Sequence, residues 1–94
     1  MHKVYERLAE VPRGRITTYG ELARAAKTSP RAVGRLMNKN PFAPRVPCHR
    51  VVMSNGKLGG FASGEEQKIG LLRREGIVVK NGLVVDFEKK LYGF

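Results

Sequence analysis

Three prolines within eight residues, Pro41, Pro44 and Pro47, rule out regular secondary structure from Asn40 to Pro47. A chain of 94 residues interrupted near its middle must be built from short elements on either side of that break. Before it, Val4, Leu8 and Val11 recur at helical spacing and predict an opening helix that stops at Pro12. Pro12-Arg13-Gly14-Arg15 reads as a tight basic turn. Thr18 and Glu21 have the spacing of a capping box, predicting a helix over 18–27 with Leu22 and Ala25 on one face. Ser29 suits an N-cap and Pro30 a first helical position, so a further helix is predicted over 30–38, turning Val33, Leu36 and Met37 inward.

Two short helices joined by so brief a turn are a helix-turn-helix candidate. Its second helix carries Arg31, Arg35 and, at its end, Lys39. It also carries Gly34 in its interior, where glycine costs about 1 kcal/mol relative to alanine. Two reasons would justify that cost: packing against a neighbouring helix, or close approach to another backbone such as a DNA strand. After the proline break, 51–53 reads as a short buried strand, 54–57 as a turn and 58–64 as a glycine-bearing loop. Ser63 and Glu66 form a second capping box for a helix running to Glu75 and closed by Gly76. Asn81-Gly82 between two β-rich runs predicts a hairpin over 77–85. Leu91, Tyr92 and Phe94 could dock the C-terminus or leave it frayed. The expected fold class is α+β, mainly α: one small domain over 1–94, with a winged-helix-like helix-turn-helix and a C-terminal β-hairpin.

Charge narrows the partner. Eighteen Lys and Arg against eight Asp and Glu give +10, an excess that attracts polyanions, of which nucleic acid is the commonest. A solubilising charge or contact with anionic lipid would be the plainer explanation. No stretch approaches the roughly 20 apolar residues of a membrane span, and the N-terminus shows no secretion signal. One cysteine cannot form an internal disulfide and fits a reducing compartment, cytoplasmic or nuclear. With one further histidine and no second cysteine, a metal site is not expected.

That cysteine stands in Pro47-Cys48-His49-Arg50. A free thiol is mostly protonated at neutral pH, so a nucleophilic cysteine needs a base or positive surroundings. His49 and Arg50 adjoin it, although adjacency in sequence does not place them face to face, and a buried inert cysteine is the plainer alternative.

Pro47-Cys48-His49-Arg50-Val51 resembles the active-site signature of the O6-alkylguanine-DNA alkyltransferases, the methylated-DNA–protein-cysteine methyltransferases. The stretches 18–23, 31–34, Asn40-Pro41, 59–61 and 71–76 resemble that family in the same order, so the likeness covers roughly 3–79. It corresponds to the C-terminal transferase and DNA-binding domain, without the N-terminal domain that full-length members carry. The resemblance implies DNA repair by a cofactor-free, single-turnover methyltransferase reaction on double-stranded DNA containing O6-alkylguanine. A monomer is expected, one that could cluster on DNA. Cys48 would be the acceptor, His49 its base through a bound water, and Glu75 the residue that orients His49. Asn40 would hold the segment between the helix-turn-helix and the active site.

Because the target lies inside the duplex, its nucleotide must be flipped out. The resemblance gives Arg31 the place left in the base stack and Tyr19 contact with the phosphate and guanine. Gly34 would let the helix sit deep in the minor groove, with Arg35 beside it on the DNA face. The carbonyls of Cys48 and Val51 would read the guanine amine, and Phe61, Ala62 and Ser63 would belong to the covering loop. Phe61 stands where many members have Tyr and Ala62 where some have Ser. Any hydrogen bond from that loop to the guanine O6 would then fall to Ser63, and the smaller side chains would widen the pocket for larger alkyl groups. The alternative is a non-catalytic alkyltransferase-like sensor that binds alkylated DNA and recruits other factors. Those proteins characteristically carry Trp in place of the cysteine, and this chain has Cys48 and no Trp.

Overall fold

The computed structural model describes residues 1–61 and 64–94. Helix α1 (Lys3–Leu8) buries Val4 and Leu8 completely. It ends before Pro12 because Glu10 and Val11 donate to the carbonyls of Arg7 and Leu8, three residues back, and so tighten the last turn. Val11 still reaches the core. The basic turn forms as expected: the Arg15 amide donates to the Pro12 carbonyl (3.1 Å), with Gly14 at φ +87°.

Strand β1 (Thr17–Thr18) leads into α2 (Tyr19–Ala25), whose N-cap is Thr18; its hydroxyl accepts from the Glu21 amide at 3.0 Å. The Glu21 carboxylate turns to Arg24 instead of completing the capping box. α2 closes in a Schellman arrangement, with Lys27 at φ +57° and the Thr28 amide donating to the Ala23 carbonyl (2.9 Å). Ser29 then caps α3 (Pro30–Asn38), its hydroxyl accepting from the Ala32 amide at 3.1 Å. Val33 and Met37 are buried and Leu36 packs beside them, so the helix-turn-helix stands as expected.

Past the proline-rich turns, a 3-10 turn over Cys48–Arg50 runs into β2 (Val51–Val52), which pairs in parallel with β1, Thr17 opposite Val51. Helix α4 (Glu65–Arg74) enters through Gly64, which has no side chain to cap it; the expected cap Ser63 lies outside the described residues. It ends in a second Schellman turn at Gly76 (φ +85°), with the Ile77 amide on the Leu72 carbonyl. Strands β3 (Val79–Lys80) and β4 (Leu83–Val84) form the hairpin, with Asn81 and Gly82 both at positive φ as a type I′ turn requires. A short helix α5 (Phe87–Lys90) precedes a docked C-terminus. There the Tyr92 amide donates to the Ile16 carbonyl (2.8 Å), and the Tyr92 and Phe94 rings meet edge to face.

The core has two parts on either side of the β1–β2 pair. One joins α1, α2 and α3 around Leu8, Leu22 and Val33, with Val51 from β2. The other joins Ile16 and Val52 to Leu72 of α4, Ile77 and Val84. The two-residue parallel ladder therefore sits where the halves meet, and the 3-10 turn bearing Cys48 runs directly into it. Among the described residues no helix is long and apolar enough to cross a membrane.

Candidate active site

Cys48 opens the 3-10 turn. Its amide donates to the Val46 carbonyl (2.9 Å), and the turn closes through Arg50 donating to Pro47. The loop before it is fixed by one side chain. Asn40 donates through Nδ2 to the Val46 carbonyl (2.8 Å) and accepts through Oδ1 from the Phe42 amide (3.0 Å). Asn40 thus ties the start of the proline break to Val46, two residues before Cys48. Half-exposed Cys48 packs against the helical core beside Tyr19. A thiolate there pushes the Tyr19 hydroxyl's pKa up, in addition to the larger effect of burial.

His49 is buried, and its Nε2 lies 2.9 Å from Glu75 Oε2. The same carboxylate accepts from Arg50 Nε (2.9 Å) and Nη2 (2.7 Å), a bidentate charge-assisted pair. Arg50 also donates through Nη1 to the Val11 carbonyl (2.7 Å), which ties the cluster to the end of the α1 segment. Burial raises the Glu75 pKa, but hydrogen bonds from Arg50 and His49 outweigh it and hold the carboxyl at about 2. For His49 burial wins: its pKa is lowered, against the opposing pull of Glu75. The imidazole is therefore neutral at neutral pH. Because an ionised carboxylate only accepts, Nε2 carries the ring proton and Nδ1 keeps a lone pair. A cysteine thus adjoins a neutral imidazole whose tautomer is set by a buried carboxylate.

The other expected residues fall in two groups. Tyr19 opens α2 and donates to the Gly60 carbonyl at 3.3 Å. Gly59 (φ +74°) lies so near it that a Cβ there would stand 3.0 Å from Tyr19 Cε2. Phe61 is half-buried on the same loop, whereas Ala62 and Ser63 lie outside the described residues. Arg31 and Arg35 are exposed on α3 and make no ion pair among the described residues. A Cβ on Gly34 would meet nothing within 4 Å, so intramolecular packing does not explain that glycine. The Val51 carbonyl already accepts from Lys68 Nζ (2.6 Å) and the Cys48 carbonyl from the Val51 amide, leaving each one further lone pair.

Two contacts escaped the sequence reading, which set Arg50 only beside Cys48 and gave Lys68 no role. Arg50 is the strongest partner of Glu75. Lys68 is fully buried on α4, with Nζ donating to the carbonyls of Val51 and Leu58 (2.6 Å each) and Gly60 (3.4 Å). The signal was its register: Lys68 precedes Leu72 by four residues and shares its inward face. No group of three or more metal-ligating side chains occurs among the described residues.

Fold and site define a small helix-turn-helix domain whose cysteine- and histidine-bearing 3-10 turn packs against α4, the helix that Glu75 closes. The chain belongs to the family described as 6-O-methylguanine DNA methyltransferase, DNA binding domain, whose pattern matches residues 1–77. It is 54% identical over 76 residues to a methylated-DNA–protein-cysteine methyltransferase of Thermococcus kodakarensis, covering 80% of this chain and 43% of that protein. A DNA base-flipping protein of Thermus thermophilus is 49% identical over 74 residues, 79% of this chain and 50% of that protein. The chain thus spans about half the length of these curated relatives. A crystal structure of S. pombe Atl1 in complex with damaged DNA containing O6-carboxymethylguanine superposes with a TM-score of 0.80 at 30% identity, covering 98% of this chain and 93% of that one.

Proposed function

We propose that this chain is a DNA repair protein that flips O6-alkylguanine out of duplex DNA and transfers the alkyl group irreversibly to Cys48. The observation that carries this reading is the anchored His49, held neutral by burial and presented by Glu75 beside the only cysteine. In the proposed step the Cys48 thiol gives its proton to His49 Nδ1 through a bridging water. Sγ attacks the alkyl carbon, the carbon–O6 bond breaks, and its electron pair leaves on the guanine. The proton held by His49 returns to the guanine, so the products are a thioether and the unmodified base. No cofactor is consumed, and because a thioether is a poor leaving group each molecule acts once.

The helix-turn-helix supplies the approach to DNA. Arg31 would fill the stack, Arg35 would meet phosphate, and Gly34, with open space above it, would let α3 come close to the groove. Tyr19 and Phe61 would line the flipped base, while the free lone pairs of the Cys48 and Val51 carbonyls would read its amine. Residues 1–94 would act as one transferase and DNA-binding domain, corresponding to the C-terminal part of longer relatives, and would bind as a monomer.

A second reading is lesion binding without transfer. It is favoured by the match to S. pombe Atl1, which spans nearly the whole of both chains. Duplex DNA carrying a labelled O6-methyl group separates the two. Movement of label into protein with wild type, and none with Cys48→Ala, supports transfer. Tight lesion-specific binding by both proteins with no movement of label supports the sensor.

A further inference from the structure

Lys68 belongs to none of the roles above, yet it is the largest fully buried side chain among the described residues. Burying an ammonium is costly unless all its protons are satisfied. Here the three protons meet three backbone carbonyls, and no carboxylate lies within ion-pair distance among the described residues. The cost is visible: burial lowers the amine's pKa to about 8, against the attraction of Cys48 and Glu65. His49, a further titratable group that senses Lys68, is itself pushed toward the neutral form by it. A methionine or leucine would fill the same space on α4 without this penalty, so the ammonium must accomplish something that packing does not.

The three carbonyls belong to different walls of the site. Val51 lies in β2, three residues after Cys48, and its carbonyl is one of the proposed readers of the base. Leu58 and Gly60 lie in the loop facing Tyr19. The Gly60 carbonyl accepts from Lys68 on one side and from the Tyr19 hydroxyl on the other, so the chain of contacts continues into the first turn of α2. The Phe61 ring stands 5.9 Å from the same Nζ. A single cation therefore spans the floor strand, the loop and, through Gly60, the helix-turn-helix.

We propose that Lys68 is a positioning residue that fixes the loop over 58–61 against the pocket floor, so that the site is shaped before the base enters. This rests on the alkyl-transfer reading. Without the ammonium the loop would be ordered only on binding, which weakens capture of the flipped base while leaving the Cys48–His49–Glu75 chemistry intact.

Lys68→Met keeps the length and removes all three donors. Lys68→Gln, with two donors and no charge, serves if the methionine variant does not fold. Two readouts are compared with wild type: amide hydrogen exchange at Gly59, Gly60 and Phe61, and single-turnover methyl transfer as a function of lesion-duplex concentration. The expected result is faster exchange confined to that loop, and a half-saturating concentration raised about tenfold, the worth of one charge-assisted hydrogen bond. The rate at saturation should change by less than about threefold. In wild type the half-saturating concentration should also climb as pH passes about 8, where Lys68 loses its proton, and in the glutamine variant it should stay flat.

Exchange that rises equally throughout the molecule, or a half-saturating concentration that does not move, overturns the proposal and leaves Lys68 a core residue. Absence of transfer in wild type would instead refute the reading of the site, with the exchange comparison still testing the tie.

Discussion

Glu75→Gln removes one charge and changes little else in shape, and its cost follows from three contacts. The carboxylate accepts from His49 Nε2 at 2.9 Å, Arg50 Nε at 2.9 Å and Arg50 Nη2 at 2.7 Å. The Glu75 side chain is 6% exposed and that of Arg50 15%, so water cannot replace what is lost. A glutamine offers one acceptor oxygen and an amide that points donors at donors, leaving a buried guanidinium without its counter-charge. Removing one partner of a buried pair costs about 3–5 kcal/mol. The proton linkage gives a similar magnitude independently: a carboxyl held at about 2 instead of its ordinary 4.5 represents about 3 kcal/mol at neutral pH. Because the unfolded chain binds the proton first, this stability is present above pH 4.5 and is lost as pH falls toward 2. For a domain of this size the substitution should lower the melting temperature by about 12–24 °C at pH 7. Urea unfolding of both proteins from neutral to acid pH is the assay, and their difference should shrink as the carboxyl titrates. A loss below about 1 kcal/mol, or one independent of pH, would refute the buried-pair reasoning.

Gly34→Ala should stabilise the fold by about 1 kcal/mol, because the new methyl meets nothing within 4 Å in a helix interior. The same variant should bind lesion duplex more weakly, and a filter-binding titration that finds unchanged affinity would remove the groove-approach role. Thr17 is fully buried with a hydroxyl that has no hydrogen-bond partner among the described residues, so Thr17→Val should raise stability by about 1 kcal/mol in the same urea assay; a loss would show that the hydroxyl is satisfied in solution. His49 has a lowered pKa, so the unfolded chain takes up its proton first and stability should decline as pH falls below 6.5. His49→Gln should flatten that decline in a melting series, and an unaltered slope would contradict a buried neutral imidazole.

The elements legible in the sequence were those whose ends are set by local chemistry. Thr18, Ser29 with Pro30, Gly76 and Asn81 with Gly82 each terminate an element through contacts within a few residues, and each does so in the structure. The misses depend on distant partners. The β1–β2 ladder is two residues long and joins positions 34 apart in sequence, so no periodicity could reveal it. Helix α5 follows Asp86 at φ +56°, a conformation its side chain does not advertise. α1 stops at Leu8, short of Pro12, because of hydrogen bonds at its last turn. Within the site, Cys48, His49 and Glu75 were expected together from family resemblance, and the structure brings His49 and Glu75 into contact. In sequence Arg50 is only a cation adjoining the cysteine segment, and Lys68 resembles a solvated one. Only the fold shows that one closes around Glu75 and the other is buried among carbonyls.

The central claim is that Cys48 accepts the alkyl group, and the mass of the intact protein after incubation with O6-methylguanine duplex tests it most directly. Wild type should gain one CH2 unit, mapped by peptide fragmentation to Cys48, and the gain should stop at one per molecule however much DNA is added. An unchanged mass in protein that binds the lesion duplex more tightly than plain duplex would contradict transfer and leave a sensor of alkylated DNA.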